Sequence, residues 1–349
     1  MDTKVVQIDR RNINKAMMQE AGNIIRNGGL VAFPTETVYG LGGDALNKSS
    51  SGKIYAAKGR PSDNPLIVHI AEFDDLKEIT VKIPKAAEKL AKCFWPGPLT
   101  MIFEKAACVP YATTGGLDTV AVRMPSDPIA RELIRVSGRY IAAPSANRSG
   151  RPSPTQAKYV VEDLRGRVDM ILDGGASEIG LESTIVDLSG EVPVILRPGY
   201  ITEEMLVKAI GNVEMDKGLL DSDPQIKPKA PGMKYRHYAP QGSLAIVEGP
   251  KEQVTAYINE RIKEFRKEGM KTGVIAAFET AADYQADCVK CPGKRNDESE
   301  IARHLFRILR ELDDEGIQVI YAEAFDGHGI GCAIMNRLLK AAGYQVITL

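Results

Sequence analysis

Short apolar runs recur along the chain and alternate with longer amphipathic stretches. In the first 212 residues, strand-like runs lie at 30–33, 66–70, 99–103, 120–122, 170–172, 183–186 and 194–196. Apolar residues at helical spacing fall between them, at 13–27, 85–94 and 128–137, and again after Thr202. This alternation predicts an α/β domain with a mixed sheet over residues 1–212.

The composition changes over residues 213–241. Asp216, Asp221 and Asp223 alternate there with lysine and glycine, and prolines follow at Pro224, Pro228, Pro231 and Pro240. Such a segment is typical of a linker. Strand-like runs then resume at 244–247, 273–277, 317–320 and 344–347, with helical segments between them. The pattern predicts a smaller, Rossmann-like parallel α/β domain over residues 242–349.

The overall charge limits the functions that the chain can have. Lysine and arginine number 45 against 46 aspartate and glutamate, giving a net charge of −1. Bulk charge therefore gives no reason to expect tight, non-specific binding to nucleic acid, and any phosphate chemistry must use local basic clusters. No apolar run approaches membrane-spanning length, and the start lacks the apolar core of a signal peptide, so we expect a cytoplasmic protein.

The five cysteines are odd in number and irregularly spaced, which does not describe a disulfide framework. Cys288 and Cys291 have the spacing of half a zinc site or of a redox pair. Because no second CxxC and no spaced histidine pair follow them, we predict a loop with incidental cysteines.

Common nucleotide-binding motifs are missing from the sequence. It contains no GxxxxGK[ST] P-loop and no complete GxGxxG fingerprint, which argues against an ordinary P-loop enzyme. The glycine-rich stretch 327–331 precedes the final helical segment. We interpret it as a tight strand-to-helix turn, with backbone binding of an anion as the alternative.

Four polar segments follow strand-like runs, which is where open α/β sheets bind ligands. They lie at 34–42, at 53–65, at 142–155 and, as a pair, at 182–184 with 196–199. Two further polar residues, Arg123 and His69, stand within or at the end of apolar strands. Arginine is costly there unless it meets an anion, which its planar fork binds in bidentate fashion. Each feature alone also has a structural explanation, such as a solvated charge cluster or a hydrogen-bonded core histidine.

Taken together, these segments resemble a known family. Lys58-Gly59-Arg60 with Ser145-Ala146-Asn147 resembles the KxR and SxN signature of the YrdC-like threonylcarbamoyl-AMP synthases. The stretches PTETVYGLG, KGRPSDNPL and PSAN support the resemblance, and APGMKYRHYAP at 230–240 resembles the joint in the long form of the family. The resemblance implies a YrdC-like domain with a twisted mixed sheet, followed by a C-terminal α/β domain.

The activity that the resemblance implies is L-threonylcarbamoyladenylate synthesis. In that reaction L-threonine, bicarbonate and ATP give threonylcarbamoyl-AMP and pyrophosphate, for the threonylcarbamoyladenosine modification of tRNA. Mg²⁺ is expected to arrive with ATP, and we predict neither a dedicated protein metal site nor a covalent nucleophile.

The family's functional residues carry over onto matching positions of this sequence. The signature residues, expected to be catalytic, are Lys58, Arg60, Ser145 and Asn147. Threonine would be bound by Thr37, His69, Arg123, Ala143 and Ser183. ATP would be bound by Lys53, Arg60, Asn64, Thr119, Ser145, Ser153 and Arg197. Within the joint, Tyr235 and His237 are predicted to form a lid over the pocket.

Two other functions fit parts of the sequence. A module that binds double-stranded RNA or tRNA without catalysis would use the same basic clusters, although the near-neutral charge argues against it. A carbamoyl-transfer maturation factor would normally bring acyl-phosphatase or zinc-finger segments, which we do not find. The expected downstream partner is the tRNA threonylcarbamoyl-transferase machinery, with weak contact to tRNA and none to a membrane.

Overall fold

The computed structural model describes residues 2–216 and 238–349, which form two compact units. The first unit contains residues 2–149, 153–178 and 182–216, and the second contains 150–152, 179–181 and 238–349. Two short pieces of the N-terminal sequence therefore belong to the second unit. The boundaries of a domain at 1–212, a linker at 213–241 and a domain at 242–349 stay predictions. The predicted lid residues Tyr235 and His237 lie outside the described residues.

The first unit contains eleven strands and eight helices among the described residues. The strands are β1 (Lys4–Gln7), β2 (Val31–Phe33), β3 (Gly40–Asp44), β4 (Ile67–His69), β5 (Leu99–Glu104), β6 (Thr119–Arg123), β7 (Ile141–Ala142), β8 (Met170–Asp173), β9 (Thr184–Asp187), β10 (Val194–Arg197) and β11 (Glu214–Met215). The helices are α1 (Lys15–Arg26), α2 (Lys48–Lys58), α3 (Leu76–Ile79), α4 (Lys85–Phe94), α5 (Tyr111–Thr114), α6 (Pro128–Ser137), α7 (Ala157–Leu164) and α8 (Glu203–Ile210).

All eleven strands join one sheet in the order β1-β8-β2-β3-β7-β4-β6-β5-β9-β10-β11. Parallel and antiparallel pairs both occur: β4 is parallel to β6, for example, whereas β5 is antiparallel to β6. The predicted mixed sheet is therefore confirmed. The sheet extends to β11, past residue 212, where we placed the end of the domain.

Helix α6 shows how local sequence sets these elements. Asp127 caps its N-terminus, because the side-chain Oδ1 accepts a hydrogen bond of 2.8 Å from the Ile129 amide. Pro128 fits the first turn, where its missing N–H needs no partner. Gly138 directly follows the helix, and its φ of 59° is the left-handed conformation that glycine adopts at little cost.

Strand β3 is absent from the predicted strands, because the first part of its sequence GLGGD belongs to the polar segment at 34–42. It lies in the sheet between β2 and β7. A Cβ at Gly42 would stand 2.7 Å from Ile141 Cγ2 and 2.8 Å from Phe33 Cε1. Glycine there serves the close packing of the sheet.

The second unit is a parallel sheet flanked by helices. Its strands are β12 (Ser243–Glu248), β13 (Thr272–Ile275), β14 (Cys288–Lys290), β15 (Val319–Glu323) and β16 (Val346–Thr348). Its helices are α9 (Lys251–Lys267), α10 (Glu298–Asp314) and α11 (Gly329–Ala341). The sheet order is β14-β13-β15-β12-β16 with all pairs parallel, which confirms the predicted Rossmann-like α/β class.

Two sequence features of this unit have structural roles. Cys288 begins edge strand β14, so the predicted loop at 288–291 is wrong over Cys288–Lys290. Burial and a hydrogen bond to Glu315 raise the pKa of the Cys288 thiol to about 12, which makes it a poor redox nucleophile. The glycine-rich stretch 327–331 leads from a strand-to-helix turn into the first turn of α11, where the Gly331 amide donates 3.1 Å to the carboxylate of Glu298.

No helix in residues 2–216 or 238–349 combines the length and the apolar character needed to cross a membrane.

Candidate active site

The site lies on one face of the first unit's sheet, where apolar residues give way to polar ones along the same strands. Alternate residues of a strand share a face. On this face, Ile67, Ile102, Ala121, Ile185 and Leu196 form an apolar cluster. A polar residue also lies two positions along the chain from each of four members of this cluster. These residues are His69 (from Ile67), Arg123 (from Ala121), Thr100 (from Ile102) and Ser183 (from Ile185). The pleat therefore presents a polar group beside this apolar floor.

These polar residues form a continuous row across neighbouring strands. Arg123 on β6 lies opposite His69 on β4 and opposite Thr100 on β5. Thr100 Oγ1 is 2.7 Å from Ser183 Oγ. Arg197 completes the row, because its Nη2 donates 3.1 Å to Ser183 Oγ and its Nε donates 3.0 Å to the Ser183 carbonyl. We call these five residues the polar row.

Arg123 also pairs with Glu36, from the loop that follows β2. Arg123 Nη2 lies 2.7 Å from Glu36 Oε1, and both side chains are buried. The two remaining atoms of this contact, Arg123 Nε and Glu36 Oε2, are buried and have no hydrogen-bond partner among the described residues. The ion pair therefore has one hydrogen bond, where a bidentate pair would have two.

His69 is uncharged in this environment. Burial and the neighbouring Arg123 guanidinium lower the pKa of His69 to about 3. Its Nδ1 lies 3.1 Å from the carbonyl oxygen of Ile67. Because a carbonyl only accepts, this contact favours the neutral tautomer that carries its proton on Nδ1. Among the members of the polar row, positive charge therefore comes from the arginines alone.

The two signature motifs meet in a hydrogen-bonded network. Lys58, the last residue of α2, is buried, and its ammonium donates to the backbone oxygen of Ser145 and, at 2.6 Å, to that of Asn147. Ser145 Oγ in turn donates 2.6 Å to Asn147 Oδ1. The Lys58 carbonyl accepts from the Ser149 amide at 2.9 Å. Lys58 thus fixes the loop 145–149 and brings its charge to that loop.

Arg60 and Asn64 form a second basic element just after α2. Arg60 Nη2 donates to Asn64 Oδ1 and, at 3.0 Å, to the Pro65 carbonyl. Asn64 is buried, whereas Arg60 keeps partial exposure. This arrangement orients a guanidinium whose surface reaches solvent.

Thr37 and Ala143 are buried beside the loops that carry the row and the network. Thr37 Oγ1 is 2.9 Å from Thr35 Oγ1 in a tight turn. The Ala143 amide donates 2.9 Å to the Ile67 carbonyl, so Ala143 is anchored to the strand that carries His69. The Tyr39 carbonyl accepts from the Ala146 amide at 2.8 Å, and this bond ties the PTETVYGLG segment to the SxN loop.

Ser153 is buried and donates 2.6 Å to the carboxylate of Glu182, the residue next to Ser183. The polar segments at 142–155 and 182–184 therefore meet, as the sequence suggested.

Two predicted site residues are not joined to these groups by any described contact. Lys53 is exposed, and its ammonium donates 2.7 Å to the Gly28 carbonyl. It lines a separate surface hollow together with Asn27 and Asp169. Thr119 begins β6 while Arg123 ends it, so about 13 Å of strand separates them. The ATP-binding roles of Lys53 and Thr119 stay predictions.

Three residues entered the site without being singled out from the sequence as functional: Glu36, Thr100 and Glu182. Glu36 and Glu182 lie inside segments that were recognised as polar, but a buried partner was not foreseen for either. Thr100 was hidden within the apolar run LTMIF, where a single hydroxyl is an ordinary strand residue. A polar residue inside an otherwise apolar run was the one signal available.

No group of three or more histidine, cysteine, aspartate or glutamate side chains in the described ranges is arranged to hold a metal ion.

Comparison with known proteins covers both units. A family profile described as "Telomere recombination" matches residues 23–199, and one described as "Threonylcarbamoyl-AMP synthase, C-terminal domain" matches residues 201–343. A threonylcarbamoyl-AMP synthase of Pyrococcus abyssi is 50% identical, over 97% of this chain and 97% of that protein. One from Bacillus subtilis is 49% identical, over 97% and 96%. A crystal structure of P. abyssi Sua5 complexed with L-threonine superposes with a TM-score of 0.94 at 49% identity, covering 99% of this chain and 100% of that chain.

Proposed function

The chain belongs to the threonylcarbamoyl-AMP synthase family in its two-domain form, and from that premise we propose that it makes threonylcarbamoyl-AMP from L-threonine, bicarbonate and ATP. The reaction serves the threonylcarbamoyladenosine modification of tRNA. The first unit, which carries the polar row and the signature network, is the proposed catalytic part.

The observation that carries this proposal is the buried Arg123 in the polar row. Arginine at the end of a buried strand binds an anion most favourably through its planar fork, and the carboxylate of an amino acid fits that fork. The neighbouring side chains suit a small polar substrate, since Thr100 and Ser183 offer hydroxyl groups and His69 is neutral. Thr37, His69, Arg123, Ala143 and Ser183 are the proposed threonine site.

The ATP subsite is proposed to adjoin the threonine subsite at Arg197. The Arg197 guanidinium, which is assigned to ATP, donates a hydrogen bond to Ser183, which is assigned to threonine. The other proposed ATP ligands are Lys53, Arg60, Asn64, Thr119, Ser145 and Ser153. Mg²⁺ would enter as part of the nucleotide, held by phosphate oxygens.

The chemistry requires positioning and charge more than a nucleophilic side chain. The amine of threonine first takes up the carbon of bicarbonate, with loss of water, to form a carbamate. A carbamate oxygen then attacks the α-phosphorus, and the bond from that phosphorus to the pyrophosphate oxygen breaks. Negative charge collects on the phosphoryl oxygens during this step, and Lys58, Arg60 and the backbone amides around Ser145 and Asn147 are the groups proposed to offset it.

The proposal is tested by measuring pyrophosphate release from the full chain. Release should require ATP, L-threonine and bicarbonate together. Arg60→Ala should reduce it by at least about 100-fold, because a group that binds the phosphates is lost. Arg135→Ala is a matched control and should leave the rate unchanged, since among the described residues the Arg135 side chain pairs with Glu72 alone, at the surface of the same unit.

Turnover without added threonine, or an Arg60→Ala enzyme as fast as the parent, would overturn the assignment. Salt-sensitive binding of tRNA with no pyrophosphate release would instead favour the non-catalytic RNA-binding module.

Several further features are proposed from family membership. The segment containing Tyr235 and His237 acts as a lid that excludes water from the mixed anhydride. The product passes to the tRNA threonylcarbamoyl-transferase machinery, with weak tRNA contact, and the enzyme works in the cytoplasm. An equal-length Gly/Ser replacement of 234–238 that leaves threonine-dependent pyrophosphate release intact would remove the lid from this account.

A further inference from the structure

The starting observation is that the Glu36–Arg123 pair is incomplete. The side chains are 4% and 5% exposed, and their one contact joins Glu36 Oε1 to Arg123 Nη2. A carboxylate and a guanidinium that serve only each other usually close a second contact, which here would join Oε2 to Nε. Both of those atoms are instead buried without a hydrogen-bond partner among the described residues. Each bears a free-energy penalty that a suitable ligand would relieve.

The two open atoms have opposite requirements. Glu36 Oε2 is an anionic acceptor and needs a donor, whereas Arg123 Nε is a cationic donor and needs an acceptor. A ligand that satisfies both carries a positive donor group and a negative acceptor group close together. The zwitterion of an α-amino acid has this chemistry, because its ammonium and carboxylate are attached to the same carbon.

The charges of the neighbouring groups support the same assignment. Arg123 alone would balance the carboxylate of a bound amino acid and would leave the ammonium without a counter-charge. Thr100 and Ser183 are uncharged, and His69 is neutral because its pKa is lowered to about 3. Among the groups that contact or adjoin Arg123 in the row, Glu36 is thus the carboxylate that can balance an ammonium. A buried charge without such balance binds poorly.

We propose that Glu36 is a further substrate-binding residue, which accepts a hydrogen bond from the α-ammonium of L-threonine while Arg123 binds its carboxylate. The inference rests on the proposed function, since it takes threonine as the occupant of this site. It gives Glu36 a role in selecting α-amino acids over plain hydroxy acids. The competing explanation is that Glu36 is only a counter-ion that orients Arg123.

A ligand that lacks the amine separates the two explanations. (R)-3-Hydroxybutyrate keeps the carboxylate, hydroxyl and methyl groups of threonine and has no amine. The full-length parent should bind L-threonine at least about 10-fold more tightly than this analogue, since a hydrogen bond between charged groups is lost with the amine. Calorimetric titration measures the affinity for threonine, and competition measures the weaker ligand.

Glu36→Gln should weaken threonine binding by roughly 10- to 100-fold and change hydroxybutyrate binding by less than about threefold. The preference for the amino acid should therefore largely disappear. Glu36→Asp keeps the charge with a shorter reach and should retain part of the preference. Glu323→Gln is the matched control, because it neutralises a buried, arginine-paired carboxylate in the second unit and should leave both affinities as in the parent.

An equal loss for both ligands in Glu36→Gln would show that Glu36 only orients Arg123, and an unchanged preference would also overturn the proposal. A parent that binds both ligands equally would overturn it even if the variants do not fold. If the parent binds hydroxybutyrate but no threonine, the proposed function itself is wrong. If pyrophosphate release depends on threonine but Glu36→Gln keeps the preference for threonine over hydroxybutyrate, only the role of Glu36 is wrong.

Discussion

Each unit contains a buried carboxylate paired with an arginine, and the two pairs differ in how completely they are satisfied. In the first unit, Glu36 meets Arg123 through one contact and leaves one buried atom open on each side. In the second unit, Glu323 at the end of β15 meets Arg295. The chemical groups are the same, but their surroundings differ.

The second pair is saturated by its own unit. One oxygen of Glu323 accepts 2.6 Å from the Tyr284 hydroxyl, and the other accepts 3.1 Å from the Ala277 amide as well as from Arg295. Arg295 Nη1 also donates 2.8 Å to the Ala324 carbonyl. Burial and the Glu323 carboxylate raise the pKa of Tyr284, so its hydroxyl keeps the proton that it donates. Both oxygens of Glu323 therefore have hydrogen-bond partners among the described residues.

The comparison teaches that burial alone does not distinguish a structural ion pair from one that binds a ligand. The number of buried atoms left without a hydrogen-bond partner does distinguish them. A saturated pair contributes to a unique packed structure. An open pair gives up stability in the absence of ligand, and such local sacrifice is expected where a protein binds something.

The largest expected effect comes from changing the arginine of the open pair. Arg123→Lys keeps the charge but loses the planar fork, so kcat/KM for L-threonine should fall by roughly 100-fold, or about 2.7 kcal/mol. Steady-state pyrophosphate release measures the change. Arg295→Lys in the saturated pair is the control and should leave kcat/KM unaltered. Similar losses in both variants would erase the distinction between the pairs.

The next effect concerns stability rather than activity. Glu323→Gln removes the charge that balances Arg295 and one of the strong acceptor oxygens, so the free energy of unfolding should fall by about 2 kcal/mol. Arg295 is 44% exposed, which keeps the loss below that of a fully buried pair. Urea denaturation provides the measurement, and the rate per folded molecule should match that of the parent. A stable but inactive variant would place a functional site in the second unit.

A smaller effect is expected from Tyr284→Phe, which deletes one hydrogen bond to Glu323 and keeps the ring. The free energy of unfolding should fall by about 1 kcal/mol, with activity unchanged. Measurement in the Glu323→Gln background should give a smaller loss, since the two groups are coupled. Additive losses would mean that the hydroxyl and the carboxylate act independently.

The last prediction is that the protonation state of His69 does not change over the ordinary pH range of histidine. Because burial and Arg123 lower its pKa to about 3, the His69 ring should stay neutral from pH 8 to pH 5, where an ordinary histidine takes up a proton. Nitrogen-15 ring shifts test this, with His69→Asn identifying the signal. The sign for stability follows: below about pH 6.5 the unfolded chain binds a proton that the folded chain refuses, so His69 makes folding less favourable as the pH falls towards 3. Titration of this ring near pH 6.5 would contradict the described surroundings of Arg123.

Much of the fold could be predicted because local signals and tertiary structure agree. Helix α6 matches the predicted 128–137, where the Asp127 cap and the apolar periodicity coincide. Helix α4 matches the predicted 85–94 through its apolar periodicity. Strand β3 was missed because its glycines signal a turn locally, whereas their reason is the close approach of Ile141 and Phe33. Strand β14 was missed because three residues at a sheet edge give almost no periodic signal.

The candidate site was predictable to the extent that it is written in motifs. Lys58, Ser145 and Asn147 meet as the signature suggested. The pairing of Glu36 with Arg123 could not be predicted, because it joins a loop residue to a strand residue 87 positions away, and only the folded chain brings the two together. Lys53 shows that closeness in sequence can also mislead. It lies five residues before Lys58, but on another part of the helix surface, where its ammonium donates to the Gly28 carbonyl.

The strand order of the first sheet also determines how long some strands wait for their partners while the chain is being synthesised on the ribosome. Among the described strands, β1 pairs with β8 alone, and the bond between Thr3 and Val168 at the start of this pairing spans 165 residues. At about 5–20 residues per second, roughly 8–33 s of translation separate the two partners. Strand β2 lacks its β8 neighbour for most of that time, with its apolar Val31-Ala32-Phe33 edge open. The nascent chain thus exposes an unpaired strand in the cell for far longer than a small domain needs to fold, which gives chaperones a defined segment to protect.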